Sequence, residues 1–246
     1  MGRPGGDDGP YGELMTVTPE QRFDQISRSI ANVRGVDFQA LNDDQSSIAI
    51  GWLLGALDQM ELIAAATRLG LVSALAPSRR LIFELAIRLK YLDEHGDDAV
   101  NAVKIMAKRD MQTLRKHAGE EWAASHSEID TVLALATEAK RNEHLGSIAS
   151  YTDSADDMEG FYIAWWSETN NSHASMHLAL SYVLPDGPGV KASKPAGADP
   201  AHDQMMLVGL YAVTSVYNVL KRMKHTAVAD AILNAWLGGL AIEGVD

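Results

Sequence analysis

There is no cysteine among the 246 residues. Its absence removes disulfides, thiolate nucleophiles and thiolate metal sites together, and it suits a reducing cytoplasm. A long apolar run is also missing. The longest, Ile48 to Leu57, is broken by Asp58 and is too short to span a bilayer, so no membrane insertion is expected. The stretch from Met1 to Thr16 is rich in Gly, Pro and Asp and has no apolar signal-peptide core, so export by that route is not expected. The expected compartment is the cytoplasm.

Positive charge is in short supply. Lys and Arg number 21 against 33 Asp and Glu, a formal net charge of −12. A surface this acidic repels phosphate backbones on average, which argues against duplex DNA as a partner but leaves a local basic pocket open. Apolar residues make up 46% and charged residues 22%, enough to bury a sizeable core. The sequence carries no Gly-x-Ser-x-Gly elbow, phosphate loop or dinucleotide fingerprint.

The pattern that is present is helical. Residues 1–17 read as a flexible tail, and residues 18–246 as a single helical domain with a Pro/Gly-rich loop or short ribbon at 185–200. Thr18-Pro19-Glu20-Gln21 is a capping box, followed by Phe23, Ile26, Ile30 and Val33 at helical spacing and a stop at Gly35. A second helix is predicted from Asp43 to Leu69 and a third from Ser78 to Glu94, with Pro77 opening it. A fourth starts at Asp97 and turns Val100, Val103, Ala107, Met111 and Leu114 inward; a fifth carries Ile129, Val132, Leu133, Ala136 and Ala139. Ser154 caps a sixth, which continues to Leu184 with a kink at Asn170-Asn171. Asp199-Pro200 restarts the chain as a helix to Met223, and Thr226 to Leu237 is the last. The fold class predicted is all-α, a bundle of about seven or eight helices.

Two segments carry chemistry. On a wheel advancing roughly 100° per residue, Arg80, Glu84, Arg88 and Tyr91 share one narrow stripe between two apolar flanks. Leu81, Leu85, Leu89 and Leu92 form one flank and Phe83 and Ile87 the other, leaving Arg79, Lys90 and Asp93 for solvent. Charges between apolar flanks need partners. Either Glu84 pairs with Arg80 and Arg88 at i,i+4, or the guanidiniums line an anion pocket with Glu84 orienting them. In the sixth helix Trp165, Thr169, His173 and His177 recur every four residues, with Asn170 beside them. His173 is the proton-transfer candidate, or else a core hydrogen-bonding histidine. His173 and His177 have the spacing of a metal pair, but no Glu follows His173 and no third ligand is evident, so no metal or other cofactor is expected. The other histidines form no ligand pattern.

Together the segments resemble an uncharacterised family of bacterial helical proteins, a domain of unknown function. Its members pair an Arg-x-x-x-Glu helix with a later Tyr-x-x-x-Ser-x-x-x-His-Pro-Ser element. Here these read Arg80 to Glu84, then Leu89-Lys90-Tyr91-Leu92, and Trp165, Thr169, His173, Ala174, Ser175. That family is similar to the HEPN superfamily (higher eukaryotes and prokaryotes nucleotide-binding), whose bundles often dimerise and include metal-independent ribonucleases of toxin and phage-defence systems. The resemblance implies a HEPN-like bundle and a homodimer. It also implies, in an enzymatic reading, RNA as substrate, with His173 as general base, Arg80 and Arg88 on the phosphate, and Glu84 orienting them. The chain departs from the HEPN signature in having no Arg between Tyr151 and His173. The other reading is a non-catalytic binding or scaffold protein, its partner a protein or a second copy, with a buried Arg/Glu/His network setting helix register.

Overall fold

Thr18 opens the first helix as its capping box predicts. Its hydroxyl accepts from the Gln21 N–H at 3.2 Å, and its own N–H donates to the Gln21 side chain at 2.8 Å. The computed structural model describes residues 18–117, 158–173, 183–186, 188–192 and 202–241. Among them are seven α-helices: α1 (Pro19–Arg34), α2 (Asp44–Arg68), α3 (Ala76–His95), α4 (Asp97–His117), α5 (Glu159–Ser172), α6 (His202–Arg222) and α7 (Thr226–Leu240). A 3-10 turn (Val72–Leu75) leads into α3, and a two-stranded antiparallel ribbon, β1 (Val183–Asp186) and β2 (Gly189–Ala192), pairs Val183 with Ala192. The described residues therefore form an all-α bundle of packed helices. The predicted tail at 1–17, the predicted fifth helix around Ile129–Ala139 and the Ser154 cap lie outside the described residues.

Helix ends follow local chemistry. The Asp43 side chain accepts from the Ser46 N–H at 2.8 Å and caps α2, and Gly70 takes a φ of +71° just past its end, where an L side chain would be strained. Gly96, at φ +50°, separates α3 from α4. The sixth predicted helix ends early, at Ser172, and Val183 and Leu184 are strand. The side chains of Thr169, Asn170 and Ser172 turn back to donate to the carbonyls of Trp165, Trp166 and Glu168. Such bonds compete with helix continuation, so this polar run terminates α5 where a kink was expected.

α3 is the central element, packed against α2, α4, α5 and α6, while α7 lies on α1 and α6. The core runs through Ile26 and Ile30 of α1, Leu53 and Met60 of α2, Ile87 and Leu89 of α3, Val216 of α6 and Trp236 of α7, all fully buried. α2 is 25 residues long and, by length and composition, is the one described helix able to cross a bilayer; it packs on α1, α3 and α6. Asp58, which breaks its apolar run, faces out and pairs with Arg34 of α1. α4 departs from its predicted pattern. It buries Ala99, Val100 and Ala102, but Val103, Ala107 and Met111 are half-buried and Leu114 is exposed, so only its first turns enter the core.

α7 runs past its predicted end at Leu237 to Leu240. A Cβ at Gly239 would fall on the backbone of Ser29, and one at Gly209 on the indole of Trp236. These glycines let α1 and α6 approach α7 closely, and the Ser29 hydroxyl donates to the Trp236 carbonyl at 2.8 Å.

Candidate functional site at the α3/α5 contact

α3 and α5 lie along one another. The apolar anchor is Phe161, buried edge-on against Phe83 at 6.0 Å and packed on Tyr211 of α6 at 4.8 Å. One and two turns further along α5, Trp165, Glu168 and Thr169 meet the charged residues of α3.

Arg79 donates from Nε to Glu168 Oε1 at 2.8 Å and from Nη2 to Oε2 at 3.1 Å. This fork-to-fork geometry orders both side chains, which are 12% and 15% exposed. Arg80 donates from Nε to the Thr169 hydroxyl at 3.1 Å, and its guanidinium lies 5.5 Å from the centre of the Trp165 ring. Glu84 joins the remaining groups. Its Oε1 accepts from Arg88 Nε and Nη2 at 3.1 and 2.9 Å, and its Oε2 accepts from the Trp165 indole at 3.3 Å and forms an ion pair with Arg80 Nη2, also at 3.3 Å. Arg88 Nη1 points at Met106 Sδ of α4, 3.8 Å away.

The two helices that an Arg/Glu/His network would join do pack together, and their contact gathers Arg80, Glu84, Arg88 and Thr169 with Trp165. Two expectations need correction. The charged members keep solvent access of 12 to 32%, so there is no buried charged network. His173 is not a member. It follows the last helical residue in extended backbone (φ −103°, ψ 159°), is exposed, and makes no hydrogen bond to a described residue. His177 lies outside the described residues. Asn170 donates to the Trp166 carbonyl on its own helix at 3.2 Å, and the Tyr91 ring lies against that of His95 at 4.4 Å. Burial, with the charge of Asp98 added, raises the Tyr91 phenol above its ordinary value.

Arg79 and Asp93, expected in solvent, are also misplaced by the wheel. Arg79 forms the α3/α5 pair, and Asp93 accepts from Asn218 of α6 at 2.9 Å and faces Arg222. With neighbours on several sides, α3 has no broad solvent face on which to leave them. Leu81, assigned to an apolar flank, is correspondingly exposed.

Chemically, both Glu84 oxygens already accept from guanidinium and indole donors, so a phosphate binding Arg80 and Arg88 would compete with a carboxylate that holds them at i,i+4. A second polar centre had no signal in the sequence. His225 Nε2, at the head of α7, lies 2.9 Å from Asp43 Oδ2 across 182 residues of chain. Burial pushes the Asp43 carboxyl up, but the Ser46 N–H and His225 outweigh it and hold the group below its ordinary value. Among the described residues no three His, Cys, Asp or Glu side chains gather as a metal set. Comparison with protein-family models, curated proteins and solved structures finds no match to this chain.

Proposed function

We propose that this chain is a non-catalytic binding or scaffold protein of the cytoplasm, acting through a protein partner or a second copy of itself, and that its α3/α5 polar contact sets helix register. The observation that carries this reading is the internal matching of charge. Arg79 is matched to Glu168, and Arg80 and Arg88 are both matched to Glu84. The Glu84 pairs lie within α3, whereas Arg79 on Glu168, Arg80 on Thr169 and Trp165 on Glu84 cross to α5, and a shift of one turn would break all three crossing contacts. The exposed His173 stands outside that arrangement.

The test is urea denaturation of Glu84→Gln and Trp165→Phe singly and together. A register-setting contact predicts that the single losses are coupled, with the double variant losing clearly less than their sum. Additive losses would count against a shared network.

A second reading, a HEPN-like metal-independent ribonuclease acting on RNA, is favoured by one observation. The two segments that carry the family resemblance meet, Arg80 on Thr169 and Glu84 on Trp165. In that reading His173, at the exposed end of α5, acts as general base on a 2′-hydroxyl, and Arg80, freed from Glu84 by the incoming phosphate, stabilises its charge.

A further inference from the structure

Among the described residues, three side-chain hydrogen bonds tie α4 to its neighbours. Asp97 accepts from Gln45 and Lys104 donates to Asp44, both on α2, while Met106 accepts from Arg88 of α3. Met106 is the last of the three along the helix. Beyond it Met111 is half-buried and Leu114 exposed, so the Met106 bond marks where α4 leaves the bundle.

That bond is also the poorest match of charge in the α3 stripe. Arg88 Nε and Nη2 both donate to Glu84 Oε1, whereas Nη1 turns the other way and meets only the Met106 sulfur, 3.8 Å off. A thioether is a weak acceptor, so one edge of the guanidinium lacks a good partner. No other methionine sulfur among the described residues takes a hydrogen bond from a charged side chain. Met60, Met158 and Met205 are buried, but Met106 keeps some contact with solvent. The chain has no cysteine, so thioethers are the only sulfurs an oxidant meets.

Hydrogen peroxide would supply the missing acceptor. A sulfur lone pair attacks one peroxide oxygen, the S–O bond forms as the O–O bond breaks, and the departing hydroxide takes the proton of the transferred oxygen and leaves as water. Sulfur loses two electrons and the peroxide gains them, giving a polar sulfoxide. An S–O bond of about 1.5 Å and a charge-assisted hydrogen bond of about 2.8 Å, meeting at about 120°, span about 3.8 Å from sulfur to nitrogen. Sδ and Nη1 stand at that separation, so the sulfoxide oxygen can take the Arg88 donor without either helix moving.

We propose that Met106 is a redox-sensitive modification site, its sulfoxide accepting from Arg88 Nη1 and fastening α4 to α3 where the thioether holds it only weakly.

The experiment treats the folded full chain with dilute hydrogen peroxide and maps sulfoxides by peptide mass spectrometry. Beside it, melts are recorded for Met106→Gln and Met106→Leu, each alone and joined to Arg88→Leu. Glutamine carries an oxygen where the sulfoxide would place one. The proposal predicts that Met106 is oxidised while Met60, Met158 and Met205 stay reduced. It also predicts that Met106→Gln melts about 2 °C above Met106→Leu, an order that reverses once Arg88 is gone. Without a charged donor, a polar group at a half-buried position is the less stable of the two. Met106 left unmodified in the folded chain, or Met106→Gln melting at or below Met106→Leu with Arg88 present, would overturn the proposal. That comparison stands even where Arg88→Leu fails to fold. Where it folds, the same order in both backgrounds would overturn the proposal too.

Discussion

Arg79 of α3 and Glu168 of α5 form a two-point ion pair, with both hydrogen bonds between 2.8 and 3.1 Å and both side chains largely withdrawn from water. It is the most enclosed charge pair along the α3/α5 contact. Because each partner is partly desolvated, removing Glu168 takes from Arg79 its two-point carboxylate partner. Glu168→Ala is expected to cost about 1–3 kcal/mol, and joining it to Arg79→Met should recover part of that loss. Chemical denaturation of the two single variants and the double variant measures both.

Glycine positions give a sharper contrast. Gly239→Ala drives a methyl into the Ser29 backbone and should destabilise by about 2–3 kcal/mol. Gly51→Ala, on the exposed side of α2 with open space around it, should stabilise by about 0.5–1 kcal/mol. Thermal melts of the two variants should move in opposite directions.

Acid stability should respond to Asp43. Its folded carboxyl lies below the ordinary value of 3.8, so the stability it contributes is present above that value and is lost as pH falls through the lower folded value. Asp43→Asn preserves a good N-cap for α2 but removes the charge facing His225. The variant should therefore show a shallower loss of stability with falling pH below about 4 than wild type. Parallel pH profiles of the two proteins would contradict this role.

What the sequence made legible was local, and what it hid was tertiary. The Thr18 capping box, Asp43 as the start of α2 and Gly70 as its stop could be read from a few neighbouring residues, and each is present. α7 ran past Leu237 because close packing on Ser29, invisible in the sequence, favours Gly238-Gly239 as helix despite their poor propensity. The stripe on α3 was found, but the residue expected to join it was His173, and Trp165 and Thr169 make the contact instead. Arg79 and Asp93 were misplaced because their partners, Glu168 and Asn218, lie 89 and 125 residues away. His173 was placed on the shared face by extending a four-residue period through Asn170, Asn171 and Ser172. Their neighbours' and their own side chains end the helix one residue before it.

His173 should also be dispensable for folding. It is exposed and bonds to no described residue, so His173→Ala should melt within about a degree of wild type, as surface substitutions generally do. A clearly lowered melting temperature would show that the imidazole is engaged in the fold.

The most direct measurement is RNA cleavage by purified wild-type protein, with His173→Ala beside it, on single-stranded and hairpin RNA without added metal. A contact that sets helix register and performs no chemistry predicts that neither protein cleaves faster than buffer. Cleavage by wild type that is lost in a normally melting His173→Ala variant would contradict that account and establish the ribonuclease.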